Sequence, residues 1–423
     1  MEQLGTYIDV ILGGTPQTKK LEYWNGEIPW ASVVDFVNDK YLFVTEKTIT
    51  QKGLDNSNTK LLEIGDIIVS ARGTVGKTVV CKVRTAFNQS CYALRSKDKE
   101  VLDQSYLYYL LQFKILELKT VATGGVFDTI IKSTLENLKF KKPLLPNQQR
   151  IASILSSYDD LIEVNNQGIK LLEETACELY KEWFVRMRFP EYKKSKFKKG
   201  IPTDWRIEPI GKVIDYHIGG GWGNDNKDNQ FSVAGYVIRG TDIPKVRAGQ
   251  ANQDVYRFHK ASNMKSRELV EGDIVFETAG GSEGQALGRT CYITQEMLDA
   301  YGDKVMAASF CKQIRTTSIP SLYLYYFLNY LYDTGMIEAY QVQSTGISNY
   351  QFEPFLKFQQ IILPKDELMQ SFHDKAILMQ KQIAILGQQN TQLRQIRDRL
   401  LPRLISGKLE VKANGIFTEL KQN

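Results

Sequence analysis

The stretch LPNQQRIASILSSYDDLIEVNNQGIKLLEETACELYKEWFV, residues 145–185, decides the fold. Apolar side chains recur along it in alternating steps of four and three, beginning at Ile151 and ending at Trp183. A seam with a period of 3.5 residues is typical of a coiled-coil helix. The stretch therefore predicts a long helix that packs along one side against a partner helix.

A second seam with the same alternation runs from Phe372 to Leu404, so the two helices are expected to pair with each other. Some 37 residues at 1.5 Å rise give a rod of roughly 55 Å. Two similar copies tend to pack about a two-fold axis, which predicts antiparallel helices with a globular domain at each end of the rod. The alternative is a long core helix of a larger bundle. Each seam carries one Asn, which lowers stability but fixes register. The predicted seam residues are Leu155, Ile162, Asn165, Ile169, Leu172 and Leu179 in the first helix, and Met379, Ile383, Leu386, Asn390, Leu393 and Leu400 in the second.

The rest of the chain is duplicated as well. LEIGDIIVS (62–70) recurs as LVEGDIVFE (269–277), SYLYYLLQF (105–113) as LYLYYFLNY (322–330), and ENLKFKKPLLP (136–146) as PFLKFQQIILP (354–364). Several matches in the same order indicate two copies of one unit. Short β-branched runs, Gly-containing turns and a Tyr/Leu-rich helix predict a mixed globular part in each copy. The predicted fold class is α+β, with two α/β domains, a pair of long antiparallel coiled-coil helices and a pseudo-two-fold repeat. The predicted divisions are a globular domain at 1–145, a helix at 146–187, a Lys-rich solvated linker at 188–205, a globular domain at 206–363, a helix at 364–411 and a disordered tail at 412–423.

Composition sets limits on the class of protein. The net charge of +6 is compatible with nucleic-acid binding without proving it. Five cysteines without C-x-x-C spacing predict free thiols in a reducing cytoplasm. The N-terminus lacks the basic region of a signal peptide, and no apolar run is long enough to span a bilayer.

Residues 71–78, ARGTVGKT, match a loose spelling of the nucleotide-binding P-loop. A P-loop needs a helix after the lysine, because the helix N-terminus binds the phosphates. Here the segment from Thr78 to Val83 is β-branched and alternating, which predicts a second strand and a hairpin. A nucleotide-binding function is therefore the less favoured alternative.

Motifs for catalysis are missing from the sequence. The three histidines lie in no zinc-binding pattern, there is no G-x-S-x-G nucleophile elbow, and no D/N-P-P-Y/F segment of an amino-methyltransferase occurs. The sequence thus predicts a binding protein with two globular domains, without a catalytic residue, metal or cofactor of its own.

Polar residues in the predicted loops are the candidates for contact with phosphates and base edges, because their side chains are the types that bond both. The first copy offers Thr15, Lys19, Lys20, Lys52, Ser57, Arg72, Thr74, Lys77, Asn88, Gln89, Thr123 and Lys132. The second copy offers Trp222, Asn224, Lys227, Lys265, Ser266, Ser282, Arg289, Thr345, Ser348, Asn349 and Tyr350.

The segment at 145–185 closely resembles the central conserved helix of the specificity subunits of type I restriction–modification systems. RDRLLPRLISGKLEV (397–411) resembles that family's C-terminal helix end, GIPTDW (200–205) the entry to its second target-recognition domain, and GDIIVSARGTVGK (65–77) a hairpin of those domains. The last resemblance implies that Lys77 faces DNA rather than ATP. GGTP (13–16) becomes GGGW (219–222) in the second copy, which suggests two different half-sites.

The resemblance implies that each globular domain reads one half of a split, asymmetric sequence in double-stranded DNA, and that the helices set the gap. It also implies that two methylation subunits dock on the helices and that motor–nuclease restriction subunits join for cleavage. S-adenosylmethionine, ATP and Mg²⁺ would belong to those partners. Two alternatives stay open: a two-headed protein-binding scaffold, and a specificity subunit of a related, type IIB-like system.

Overall fold

The computed structural model describes residues 1–37, 40–121, 129–280, 285–344, 347–411 and 417–419. The chain divides into two compact units, a first unit of residues 1–163 and 392–423 and a second unit of residues 164–391. The unit boundaries, at residues 163/164 and 391/392, each fall inside a long helix. Each unit therefore holds one globular copy and a part of both long helices. The first long helix spans Leu145–Tyr180 and continues as a π-helical turn over Lys181–Val185, and the second long helix spans Asp366–Ile405.

The first unit is built around two sheets. The larger has the strand order Ile8–Leu12, Cys91–Ser96, Ile67–Ser70, Thr78–Cys81 and Tyr41–Leu42, antiparallel except for the last pair. The smaller has the order Lys47–Ile49, Trp24–Ala31 and Ala86–Phe87, with the last pair parallel. The remaining elements are the paired strands Glu2–Gln3 and Lys139–Phe140 and the helices Gln51–Asp55, Gln104–Val121 and Lys132–Glu136.

The second unit repeats this plan. Its larger sheet has the order Tyr216–Gly219, Cys311–Arg315, Ile274–Glu277 and Thr290–Tyr292, and its smaller sheet the order Tyr256–His259, Val233–Ile238 and Val305–Ala307. The parallel pair lies again inside the smaller sheet, between Val233–Ile238 and Val305–Ala307. Arg206–Pro209 pairs with Gln360–Leu363, just as Glu2–Gln3 pairs with Lys139–Phe140 in the first unit. The other elements are the strands Ala279–Gly280, Gln341–Ser344 and Ile347–Tyr350 and the helices Ile243–Arg247, Ala261–Arg267, Gln295–Tyr301, Ser321–Asp333 and Phe352–Phe358.

An ion pair between a buried aspartate and a partly exposed arginine marks the same point in both copies. Arg95 Nε donates to Asp66 Oδ1 at 2.7 Å, and Arg315 Nε donates to Asp273 Oδ1 at 2.7 Å. Each aspartate follows the glycine of the repeated G-D-I sequence, and each arginine lies on the neighbouring strand of the larger sheet. The predicted α+β class and internal repeat are therefore confirmed at the level of topology and side-chain pairing.

The long helices run antiparallel in both units. In the second unit, Asn165 pairs with Asn390, and the Tyr180 ring lies 5.7 Å from the Phe372 ring, so numbers rise along one helix as they fall along the other. In the first unit, Asp159 forms an ion pair with Arg397, and Arg150 donates to the Val411 carbonyl at 3.4 Å, so the numbers run in opposite directions there as well. The antiparallel pair of long helices in the predicted fold class is confirmed.

At several places along the long helices, the buried residue lies one position after the predicted seam residue. Asp159, Tyr180 and Gln380 are buried where the pattern placed Tyr158, Leu179 and Met379. A straight helix of 3.6 residues per turn drifts from a 3.5-residue seam, and the globular parts also cover these helices. Of the predicted seam residues, Leu155, Ile162, Asn165, Ile169, Ile383 and Asn390 are buried, and Leu172, Leu179, Met379, Leu386, Leu393 and Leu400 are half-buried.

Two asparagines meet across the helix pair in the second unit. Asn165 Nδ2 donates to Asn390 Oδ1 at 2.9 Å, and Asn390 Nδ2 donates to Asn166 Oδ1 at 2.8 Å. Asn390 is fully buried, so its amide has no access to water. A pair of this kind penalises any shift of one helix along the other, because a shifted amide would lose its partner.

We expect Asn390→Ala to lower the free energy of unfolding by about 1–3 kcal/mol, because the Asn165 amide would remain buried without its partner. Gln389→Ala, on the exposed face of the same helix, serves as the control and should change stability by less than about 0.5 kcal/mol. Urea unfolding of the full chain measures both. Equal losses in the two variants would contradict the role of the buried pair.

Lys40 is a second buried polar group in the first unit. Its Nζ donates to the Ser156 hydroxyl at 2.9 Å and to the Tyr109 hydroxyl at 3.1 Å. Burial lowers the pKa of Lys40 to about 8, against the raising effect of Asp159 and Asp160. The folded protein therefore keeps a charged ammonium at pH 7 at the cost of desolvation.

This lowered pKa predicts a pH dependence. Between pH 8 and 10 the unfolded chain keeps the Lys40 proton that the folded chain releases, so stability rises with pH. The full difference corresponds to about 3 kcal/mol. We expect Lys40→Met to remove this rise, whereas Lys60→Met, at an exposed lysine, should retain it. Urea unfolding at several pH values tests the prediction, and parallel pH curves for wild type and Lys40→Met would refute it.

Residues 188–205, predicted as a solvated linker, contain folded structure. Phe197–Lys198 pairs with Ile201–Pro202 as a hairpin, and Phe189 and Trp205 are buried. The linker prediction rested on the lysines with Gly200 and Pro202, whereas the interspersed aromatic residues pack into the second unit. In the predicted disordered tail, Phe417–Glu419 forms a strand with Leu409–Val411, and the rest of 412–423 lies outside the described residues.

Among the residues that the structure describes, no helix is both long enough and apolar enough to cross a bilayer.

Candidate nucleic-acid interface

The hairpin after the G-D-I sequence has no P-loop geometry. Thr78–Cys81 is a strand that pairs antiparallel with Ile67–Ser70, so no helix N-terminus follows Lys77. Lys77 Nζ donates to the Phe36 carbonyl at 2.9 Å. The predicted hairpin is confirmed, but this bond holds the ammonium against the protein's own backbone. Lys77 is thus better explained as a structural residue than as a DNA contact.

Glycines bring two loops of each copy into close contact. A Cβ atom on Gly13 would lie 2.1 Å from the Asn88 carbonyl oxygen, and one on Gly220 would lie 2.1 Å from the Ala307 carbonyl oxygen. Real Cβ atoms do not approach backbone this closely, so only glycine fits at either position. The loop after the first strand of the larger sheet is thereby held against the loop that ends the smaller sheet.

Backbone hydrogen bonds fix which residues correspond in the two copies. Gly14 N donates to the Phe87 carbonyl, and Gly221 N donates to the Ala307 carbonyl, both at 2.9 Å. The next residue in each loop occupies an equivalent position, and so do the residues that follow Phe87 and Ala307. The corresponding pairs are Thr15 and Trp222, Asn88 and Ala308, Gln89 and Ser309, and Ser90 and Phe310.

A third pair of positions follows the central strand of the smaller sheet. Ser32 N donates to Asp35 Oδ2 at 2.7 Å, and Arg239 N donates to Asp242 Oδ2 at 2.9 Å, so both strands end in the same capped turn. The Arg239 guanidinium is further held by Asp242, at 2.8 Å from both Nε and Nη2. Because the neighbouring strands are parallel, their carboxyl ends meet at one edge of the sheet. Ser32 and Arg239 therefore belong to the same loop clusters as Thr15 and Trp222.

In the second unit these loops enclose a cleft of about 670 Å³. Trp222 and Phe310 supply exposed aromatic surface, 41% and 56% of their residue areas, while Arg239 and Thr241 supply polar groups. The Arg257 guanidinium lies 4.8 Å from the centre of the Trp222 ring. A flat aromatic wall with donors and acceptors suits the planar edge of a base. In the first unit, the corresponding loops present smaller hydroxyl and amide groups, with Thr15 bonded to Gln89.

Several predicted contacts have other partners in the structure. Arg289 forms a bidentate ion pair with the buried Glu277, at 2.8 and 2.6 Å. Tyr350 is buried, with its ring 5.0 Å from that of Phe276. Arg289 is only 13% exposed and shapes the cleft wall, whereas Arg239, which is also paired, stays 35% exposed. Tyr350 belongs to the core. Sequence alone could not show either partner, because strand pairing and ring packing decide these contacts.

The predicted lysines differ in their surroundings. Lys52 pairs with Glu22 at 2.7 Å, Lys132 with Glu136 at 3.5 Å, and Lys20 donates to the Tyr23 hydroxyl at 3.1 Å. Such exposed pairs are weak, so a phosphate could still compete for these ammonium groups. The exposed predicted residues also include Lys19, Arg72, Thr74, Lys227 and Lys265.

The remaining predicted residues form local contacts, and three of them, Asn224, Ser266 and Asn349, are also exposed. Asn224 bonds through its backbone to Phe258, the Ser266 hydroxyl donates to the Ser262 carbonyl, and the Ser57 hydroxyl is buried. Ser348 accepts from Gln341 at 3.4 Å, and Asn349 lies beside it on the same strand. Thr123, Ser282 and Thr345 lie outside the described residues.

Sequence reasoning missed Ser32, Arg239 and Phe310. Ser32 and Arg239 lie directly after a strand of the smaller sheet, and Phe310 lies three residues after one, where the strand pairing decides which loops meet. The usable signal was the aspartate three residues after Ser32 and after Arg239, which marks a capped turn in both copies.

The two copies thus present unlike side chains on matched backbones. A family model described as type I restriction modification DNA specificity domain matches residues 3–174. The chain is 27% identical to the type I restriction enzyme MjaIX specificity subunit of Methanocaldococcus jannaschii over 96% of this chain and 92% of that protein. It is 28% identical to the EcoR124I/EcoR124II specificity subunit of Escherichia coli over 42% of this chain and 46% of that protein.

A solved structure supports the fold. The crystal structure of the S subunit of a type I restriction–modification system from M. genitalium aligns with a TM-score of 0.55 at 15% identity, covering 96% of this chain and 95% of that one. The sequence comparisons confirm the resemblance to type I restriction–modification specificity subunits that the motifs indicated.

Proposed function

We propose that each unit of this specificity subunit reads one half of an asymmetric DNA target. The observation that carries the proposal is the pair of equivalent loop clusters, in which the same backbone presents Thr15, Ser32 and Asn88 in one copy and Trp222 and Arg239 in the other. Base-edge contacts specify sequence, whereas phosphate contacts only position the protein. Two clusters with different donors and aromatic surfaces would therefore select different bases.

The paired long helices would set the gap between the two half-sites. Their antiparallel register is supported by the Asn165–Asn390 pair in the second unit and by the Asp159–Arg397 pair in the first. A rigid spacer converts two modest recognition events into one specific one, because binding at the first half-site raises the effective concentration at the second.

The outer faces of the helices would dock two methylation subunits. In the second unit, Val164 and Leu171 lie seven residues apart on one helix and Leu378 and Ile385 seven apart on the other, and all four are exposed. Residues seven apart share a helix face, so each helix presents apolar surface to a partner.

Restriction subunits would join the complex for cleavage. S-adenosylmethionine, ATP and Mg²⁺ would be bound by these partners in the cytoplasm, and this chain would select the DNA without catalysing a reaction.

Mapping of methylated adenines in cells that contain the chain and its methylation subunits tests the proposal. The expected result is one bipartite motif with two unlike halves and a constant gap, lost when the chain is deleted. A continuous motif, a symmetric motif or unchanged methylation after deletion would overturn it.

A further inference from the structure

One short segment carries most of the excess positive charge of the chain. Residues 188–206 contain five lysines, Arg188 and Arg206 against Glu191 and Asp204, which gives +5 of the total +6. The remainder of the chain is therefore close to neutral. Such a concentration of charge in one segment indicates a contact with a polyanion.

The segment is folded, with its lysines on a defined backbone. Phe197–Lys198 pairs with Ile201–Pro202, and Lys199 and Gly200 form the two-residue turn with φ values of 53° and 81°. Positive φ at both turn residues is the geometry of a tight hairpin turn. A hydrogen bond from Thr203 N to the Lys196 carbonyl at 2.9 Å extends the hairpin. We name residues 193–202 the lysine hairpin.

Aromatic residues on both sides anchor the lysine hairpin to the second unit. The rings of Phe189 and Trp205 lie 5.1 Å apart and are buried, and the Phe184 ring lies 6.2 Å from that of Trp205. A lysine-rich segment that only needed to stay solvated would not require this packing. The anchor holds the charges at a fixed place.

The nearby carboxylates are already paired. Glu191 bonds Lys194 at 2.8 Å, and Asp204 bonds Lys365 at 2.8 Å. In the described part of the chain, Lys196, Lys198 and Lys199 have no carboxylate within ion-pair distance, and all three are exposed. Their charges are therefore available to an external anion.

We propose that the lysine hairpin contacts the phosphate backbone of duplex DNA in a sequence-independent way. This inference rests on the proposed function and adds a third contact region to the two loop clusters. Lysine suits the role, because its ammonium is a mobile point charge that pairs with any phosphate and releases condensed counterions. The hairpin would add affinity and leave the recognised sequence unchanged.

The test compares two triple variants of the full chain, each purified with the methylation subunits. Lys196→Gln/Lys198→Gln/Lys199→Gln removes three unpaired charges of the lysine hairpin and leaves Lys193 in place. The control, Lys181→Gln/Lys304→Gln/Lys381→Gln, removes three lysines of the same unit that pair with carboxylates at 2.6–3.6 Å. Duplex binding is titrated over a range of salt concentrations for the target and for a scrambled duplex.

The hairpin variant should bind both duplexes more weakly and keep the preference for the target. Its slope of log affinity against log salt should fall by roughly two to three, since each lost phosphate contact contributes about 0.9. An unchanged slope, or the same loss in the control, would overturn the inference. Loss of the methylation subunits with an unchanged slope would assign the hairpin to a protein contact instead. If the wild-type complex failed to prefer the target duplex, the proposed function itself would fail.

Discussion

Replacing Asp159 with Ala is expected to destabilise the first unit by about 3–5 kcal/mol. Asp159 lies buried in the first long helix, where it accepts hydrogen bonds from the Tyr109 hydroxyl and from Arg397 of the second long helix. Removing the carboxylate would leave the mostly buried Arg397 guanidinium with the exposed Asp398 alone, and the buried Lys40 ammonium with only one of the two carboxylates that favour its charge. Uncompensated buried charges are among the most costly defects in a folded protein.

Asp398→Ala is the matched control, because Asp398 also pairs with Arg397, at 2.8 Å, but its side chain is 60% exposed. We expect this variant to lose at most about 1 kcal/mol. Urea unfolding of the full chain, with hydrogen exchange to locate the weakened part, distinguishes the two. Similar losses in both variants, or exchange confined to the second unit, would contradict the assignment.

Exchanging Trp222 for Thr and Arg239 for Ser is expected to change the second half-site alone. The exchange gives the second loop cluster the side chains at the equivalent positions of the first. Each base pair that the altered cluster no longer reads should lose about 1–3 kcal/mol of discrimination, which is roughly 5- to 150-fold. Methylation mapping measures the sequence preference of each half-site separately.

The reciprocal variant, Thr15→Trp with Ser32→Arg, is the control in the first unit. It should alter the first half-site and leave the second unchanged. If either double variant altered both half-sites equally, or neither, then the loop clusters would not be the parts of the chain that read DNA.

The helices and the repeat could be predicted because their signals are local. A period of 3.5 residues and the recurring G-D-I sequence need no knowledge of distant partners. The Asp159–Arg397 pair was not predictable in this way, because the pattern treated Arg397 as a seam position without indicating what would neutralise it. A buried charge reveals its partner only when the helix register is known.

Only those residues of the candidate site that carry a local sequence signal could be predicted. Thr15, Asn88 and Trp222 follow glycine turns or strand ends that the sequence marks clearly. Arg239 and Phe310 join them only through the parallel pairing of strands that lie almost seventy residues apart in the chain. Conversely, Lys77 and Tyr350 looked available because their inward partners are remote in sequence, and Arg289 because its partner Glu277 becomes visible only once the strands are paired.

The central claim is that the helix pair fixes the gap between two half-sites, and an insertion tests it most directly. One heptad inserted after Glu163 and one after Thr391 would keep the 3.5-residue seam and lengthen both helices by about 10 Å. Methylation mapping should then show both half-sites unchanged and a longer gap between them, whereas a heptad in one helix alone should abolish modification. An altered half-site with an unaltered gap would contradict the account.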